Sequence, residues 1–322
     1  MYNFDGIFER DKLKEALKSA IDMGKISQAY LFYGPEGIGK KFIADVFAAA
    51  LECGEKDAPC GRCLSCRKAE DGIHPDIIRL KHEKPDLISV DEVREQIVAD
   101  AYVKPFESKY KIYIVDEADK MNEQAQNAIL KTIEEPPSFD VFIFIAENIQ
   151  LFLPTVISRV RVFEVPPVSK ELIEKQLLQE YPISRERAES LAALSQGCMG
   201  KAIRYASSEE FNEQYNSIFS YISKRDVTKF SDLYSKIKEI CADKTMAGLT
   251  MDIFMMWYRD LMAYKISNDN NILYFKENID DIRRQSQKYT FRELNAFNEK
   301  IGVVKRMIAA NVKAENAAEL LL

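Results

Sequence analysis

Residues 34–41 read Gly-Pro-Glu-Gly-Ile-Gly-Lys-Lys, and the chemistry this spacing suggests is the holding of phosphate. Glycines at Gly34, Gly37 and Gly39 let backbone N–H groups approach an anion. A helix starting at Lys40 adds roughly half a positive charge at its N-terminus. Lys40 would reach the terminal phosphates. A hydrolysing loop then places Ser or Thr, whose hydroxyl holds Mg²⁺. Here that position is Lys41, a cation with no oxygen to offer. ATP and Mg²⁺ are therefore candidate ligands, with binding expected to survive the exchange better than turnover. The plain alternative is a glycine turn that binds nothing.

Three other constellations carry chemistry. Asp116 and Glu117 end an apolar run about 75 residues after the loop. In phosphate-loop proteins an Asp there holds Mg²⁺ and the next carboxylate orients the attacking water. Cys53, Cys60, Cys63 and Cys66 follow the spacing C-x6-C-x2-C-x2-C. Four thiolates suit a tetrahedral zinc site with no position open for a catalytic water, so the role is structural. Such a site could supply roughly 10–16 kcal/mol to folding of a small insertion. Four reduced thiols, or a redox pair at Cys63 and Cys66, are the alternatives. Ser158-Arg159 offers an arginine that could complete another subunit's active site, although a lone arginine is ordinarily a surface charge.

The other conspicuous residues read as structural. His74 lies near a cysteine cluster that already supplies four ligands. Cys198 and Cys241 fit buried small hydrophobes. Trp257-Tyr258-Arg259-Asp260, beside Phe254, Met255, Leu261 and Met262, fits a helical core.

These residues need elements to position them. Ala29–Tyr33 is a short apolar run before the loop and predicts a buried strand. Phe42, Ile43, Val46, Phe47 and Ala50 have helical spacing after it. Strand, glycine loop and helix in that order is the context a phosphate loop requires. Further strands are expected at Asp76–Leu80, Lys111–Val115, Val141–Ala146 and Arg161–Val165. Ser89 and Glu92 form a capping box for a helix through about Val103. Asn122 caps a helix stopped by Pro136-Pro137. Alternating strands and helices imply a parallel α/β sheet. Beyond Pro166-Pro167 strand signals cease. Residues 168–207 fit three short helices and residues 209–322 about five longer ones.

Composition narrows the class. The chain has 322 residues, 47% hydrophobic and 30% charged, ordinary for a globular protein of two or three domains. No apolar run approaches the ~18 residues of a membrane span. Met1-Tyr2-Asn3-Phe4-Asp5 lacks the regions of a signal peptide, so a cytoplasmic location is expected. A net charge of −6 argues against nucleic-acid binding through overall charge and favours protein partners.

Taken together, the motifs resemble the delta-prime family of bacterial DNA polymerase III clamp-loader subunits, a branch of the AAA+ proteins. The resemblance is carried by Ala29-Tyr30-Leu31-Phe32 before Gly34–Lys40, by the cysteine insertion, and by His74-Pro75-Asp76 and Asp116–Asp119. Asn127–Lys131 running into Glu134-Glu135-Pro136-Pro137, and Leu153-Pro154-Thr155 leading to Ser158-Arg159, complete it. It is strong over about residues 4–205 and weaker to the end.

The resemblance implies an AAA+ α/β domain over 1–166, with the zinc module at about 53–66. A helical lid over 167–208 and an all-α oligomerisation collar over 209–322 would follow. It implies a hetero-pentamer with tau or gamma ATPase subunits and one delta subunit, which loads a sliding clamp onto primed DNA. It also implies an arginine finger at Arg159, in a Ser-Arg-Cys motif that reads Ser158-Arg159-Val160 here. Two departures separate the chain from the active ATPase subunit. Lys41 replaces Thr, and Gly200 stands where the active subunit has a lid arginine. The chain is thus expected to lack ATPase activity of its own while serving a polymerase complex. A tau- or gamma-like motor with an atypical loop is the alternative, and a sequence-unspecific DNA-binding module a more distant one.

Overall fold

The computed structural model describes residues 2–242 and 244–322. It divides into two units. One takes the residues up to Val168 together with Cys198–Gly200; the other takes Ser169–Gly197 and Lys201–Leu322.

The first unit is built on a sheet that, among the described residues, has five strands. They are β1 (Ala29–Tyr33), β2 (Ile77–Arg79), β3 (Lys111–Val115), β4 (Asp140–Ala146) and β5 (Arg161–Glu164). Their order is β2-β3-β4-β1-β5 and every pairing is parallel. All residues of β3 and β4 are buried. Strands covered on both faces read as unbroken apolar runs, which is why these segments were visible as such.

Alternate side chains feed two cores. Tyr30 and Phe32 pack with Leu13 and Leu17 of α1 (Asp11–Asp22) and with Ile43 and Phe47 of α2 (Lys40–Glu52). Ala29 and Leu31 face the other way. They join Ala125 and Ile129 of α5 (Glu123–Glu134), and Val93 and Ile97 of the segment formed by α4 (Val90–Val93) and its continuation. Two shorter helices complete the unit, α3 (Leu64–Glu70) and α6 (Pro154–Ile157).

One helix is shorter than expected. The Ser89–Glu92 capping box is present, but after Val93 the helix widens into a π turn over Arg94–Val98 and stops there, not at Val103. Lys111 explains the stop. Its Nζ donates to the carbonyls of Asp100 and Val103, each at 3.2 Å, and so bends the chain back toward β3.

The second unit is helical among its described residues. It holds α7 (Lys170–Glu180), α8 (Arg185–Leu194) and most of α9 (Met199–Ser207). Then come α10 (Glu209–Lys224), α11 (Phe230–Ile240), α12 (Lys244–Ser267), α13 (Ile279–Lys288), α14 (Phe291–Ala309) and the short α15 (Ala314–Ala318). Phe254, Trp257, Tyr258 and Leu261 of α12 are fully buried, and Trp257 Nε1 donates to Gln285 Oε1 at 3.0 Å. Met255 does not join this core; it lies on the outward side of the helix and is exposed. No described helix is long and apolar enough to cross a membrane.

A phosphate loop, a cysteine knuckle and an arginine edge

The glycine loop leaves the C-terminal end of β1 and enters α2, the position where open parallel sheets bind ligands. Gly39 caps α2 with φ +104°, a conformation that L side chains rarely adopt. The groups around the loop are bound to one another. Lys40 is buried, and its Nζ donates to the carbonyls of Gly34 (2.6 Å) and Pro35 (3.0 Å). Burial lowers its pKa, against the pull of Glu147, Asp119 and Asp116. Lys41 Nζ lies 3.4 Å from Asp116 Oδ2, so an ammonium sits against that carboxylate.

Glu117 is turned away from the loop. Its backbone is left-handed (φ +52°), and its carboxylate meets Lys120 Nζ at 2.6 Å and His82 Nε2 at 3.3 Å. Asp119 accepts the N–H groups of Glu147 and Asn148 at the end of β4. Gly200 closes over the loop: its N–H donates to the Gly37 carbonyl at 2.8 Å. A Cβ at residue 200 would meet that same oxygen at 2.9 Å, so only glycine fits without a shift.

The cysteine knuckle lies at the other end of α2, about 20 Å away by helical rise. Cys53 is the C-cap of α2, and Cys63 is the N-cap of α3. The four sulfur atoms of Cys53, Cys60, Cys63 and Cys66 all lie within 4.8 Å of one another, and Cys53 and Cys63 are 4.0 Å apart. A tetrahedron with metal–sulfur bonds of ~2.3 Å has sulfur–sulfur edges of about 3.8 Å. The donor set therefore fits a four-coordinate metal ion. Backbone N–H groups point at the sulfurs in series, Cys60 to Cys53, Cys63 to Cys60 and Cys66 to Cys63, at 3.4–3.5 Å.

His74 is not a ligand; it anchors the knuckle to the sheet. Its Nδ1 accepts the Asp76 N–H at 3.2 Å, which leaves the proton on Nε2, 3.0 Å from Ser65 Oγ. Ser65 Oγ in turn donates to the Glu52 carbonyl at 2.9 Å. The Asp76 carboxylate takes the N–H groups of Phe106, Glu107 and Ser108.

Arg159 follows α6 and precedes β5. Because all strands are parallel, it lies at the N-terminal ends of the strands, whereas the glycine loop and Asp116 lie at their C-terminal ends. A five-residue strand spans ~16 Å. Arg159 therefore cannot serve the loop of its own chain. Its Nη1 donates to the Thr155 carbonyl and its Nη2 to Glu134 Oε1, both at 2.9 Å. Ser158 Oγ donates to Thr155 O.

A sequence model of the family described as DNA polymerase III, delta subunit, matches residues 9–169, half of the chain. The chain belongs to that family. Over 318 residues it is 27% identical to DNA polymerase III subunit delta' of Bacillus subtilis (strain 168), covering 97% of this chain and 94% of that protein. DNA polymerase III subunit tau of the same organism is 26% identical over 315 residues, 91% of this chain and 54% of tau. The gamma subunit of Buchnera aphidicola subsp. Acyrthosiphon pisum is 33% identical over 176 residues, 54% of this chain and 48% of gamma. The chain thus spans nearly all of the delta' relative and about half of the tau and gamma relatives. Among solved structures, a DNA polymerase III gamma subunit-related protein of Thermotoga maritima aligns with a TM-score of 0.48 at 18% identity, over 95% of this chain and 97% of that one.

In this delta-subunit family member the structure brings Gly34, Gly37, Gly39, Lys40, Lys41 and Asp116 to one place and keeps the cysteines and Ser158-Arg159 at two others. It also adds a residue that motif reading passed over. Arg10 is buried, and it donates from Nη2 to the Ile38 carbonyl at 2.7 Å and from Nε to the Pro166 carbonyl at 3.0 Å. It braces the loop from 28 residues upstream, where no local spacing could signal the contact.

Proposed function

We propose that this chain acts as a delta-prime subunit of a DNA polymerase III clamp loader. Its own phosphate loop does not hydrolyse ATP, and Arg159 completes the ATP site of a neighbouring subunit. The observation that carries this reading is the placement of Arg159 at the end of the parallel sheet opposite the glycine loop. An arginine so placed can act on a nucleotide only in another chain. The Lys41–Asp116 pair supports the other half, since Mg²⁺ would have to displace an ammonium to reach its carboxylate.

On this reading tau or gamma ATPase subunits and a delta subunit are the partners in a hetero-pentamer. Residues 1–166, 167–208 and 209–322 act as nucleotide-type domain, lid and collar, and the complex places a sliding clamp on primed DNA. The four cysteines hold a structural zinc ion. Among them all positions of a tetrahedron are filled, so the ion supplies cross-linking and no chemistry.

Two assays test the reading. The purified chain should show no Mg²⁺-dependent ATP turnover above a Lys40→Ala control; turnover abolished by that substitution would make the chain a motor. In the reconstituted complex, Arg159→Ala should preserve assembly and lower DNA-stimulated ATPase by at least about tenfold, on the scale of 10³–10⁵ known for arginine fingers. Unchanged turnover would remove the finger role.

A further inference from the structure

The geometry points to Glu134 as the positioning residue of Arg159, one that fixes the guanidinium and offsets its charge until a phosphate faces it. The inference rests on the finger reading above. Glu134 is the last residue of α5, and its Oε1 accepts from Arg159 Nη2 at 2.9 Å. The Thr155 carbonyl accepts from Nη1 at 2.9 Å, and Ser158 Oγ lies 3.3 Å from the same nitrogen. Two nitrogens of the fork are therefore held by two different elements. A guanidinium has five N–H donors, so the remaining ones are left for an incoming anion.

The frame behind this grip is hydrogen-bonded across elements. Gln126 of α5 donates to the carbonyls of Met121 and Leu151, each at 3.0 Å, and accepts the Leu153 N–H at 2.8 Å. This ties α5, which carries Glu134, to the start of α6, which carries Thr155. Arg159 thus reaches a partner already oriented, and little rotamer freedom is lost when it binds. The carboxylate also competes. A phosphate that takes the arginine must do so against Glu134, whose side chain is half-exposed and paired in a solvated setting.

Position and charge can be separated by substitution in the reconstituted complex, reading kcat and KM for ATP. Glu134→Gln keeps an acceptor oxygen but removes the charge. It should lower KM by about two- to fivefold, the worth of an exposed ion pair, with kcat little changed. Glu134→Ala removes the grip, and kcat should fall by about fivefold as the arginine loses its orientation. Glu134→Asp should restore part of that loss. In an Arg159→Ala background the Glu134→Ala effect should vanish, because Glu134 acts only through the arginine.

If Glu134→Ala leaves kcat and KM unchanged while Arg159→Ala slows turnover, the positioning role is overturned and the finger stands. An equal loss from Glu134→Ala with and without Arg159 also overturns it, showing a role in stability alone. If Arg159→Ala has no effect, finger and positioning residue fall together.

Discussion

The two ends of α2 have met opposite fates. At its C-terminal end four thiols converge within 4.8 Å and fit a metal ion. At its N-terminal end the groups around the glycine loop hold one another: Lys40 the loop carbonyls, Lys41 Asp116, and Gly200 the Gly37 carbonyl. The difference lies in what the protein itself can supply. The thiols are met by backbone N–H groups of their own knuckle, and a divalent cation could bind all four at once. A phosphate loop carries N–H donors and ammonium groups, and nearby carbonyls and carboxylates can satisfy those internally.

Substitutions can break or sharpen this contrast. The largest effect is expected at the knuckle. Replacing Cys63 and Cys66 by Ser should abolish metal binding, measured by elemental analysis, and lower stability to denaturant by at least about 3 kcal/mol. A metal-free native protein of equal stability would show that the two ends are alike after all. Next comes Gly200→Ala. Its Cβ would press on the Gly37 carbonyl, and a cost of about 1–3 kcal/mol in thermal unfolding is expected, with faster hydrogen exchange confined to residues near the loop.

A smaller change is expected from Lys41→Thr. It removes a solvated ion pair and should cost under about 1 kcal/mol of stability. It should also free Asp116, so that Mg²⁺ strengthens nucleotide binding by roughly tenfold, ~1.4 kcal/mol, in titration calorimetry. No Mg²⁺ dependence in this variant would mean that Lys41 is not what keeps the metal out.

The smallest effect concerns pH. Burial lowers the Lys40 pKa below its ordinary 10.5. Between the lowered native value and 10.5 the unfolded chain binds more protons than the native one, so this residue's contribution to stability rises with pH across that window. Relative to Lys40→Met, the wild-type protein should gain stability as pH increases toward 10.5. Parallel curves would show that the loop end is as solvated as an ordinary surface.

Much of this was legible in the sequence because it is local. The run Ala29–Tyr33, the Asn122 cap and the capping box at Ser89 are set by neighbours a few residues apart, and each stands where the pattern placed it. The helix after Ser89 ends early where Lys111, on the following strand, takes the carbonyls of Asp100 and Val103. The apolar run around Trp257 does not say which of its members faces inward, and Met255 faces out.

By itself the sequence determined the order of the strands, the helices that begin at Lys40, Ser89 and Asn122, the glycine loop with Lys41 after Lys40, and the four-cysteine spacing; α1 and α3 it did not announce. These follow from backbone preference and from ligand chemistry, which are properties of short segments. Only the tertiary structure decided what the charged groups do. It set Lys41 against Asp116 across 75 residues, Gly200 against Gly37, Arg10 under the loop, and Arg159 on Glu134 at the far end of the sheet. Such pairings depend on parallel strands and packed helices bringing distant residues within a few ångströms. No spacing along the chain encodes that distance.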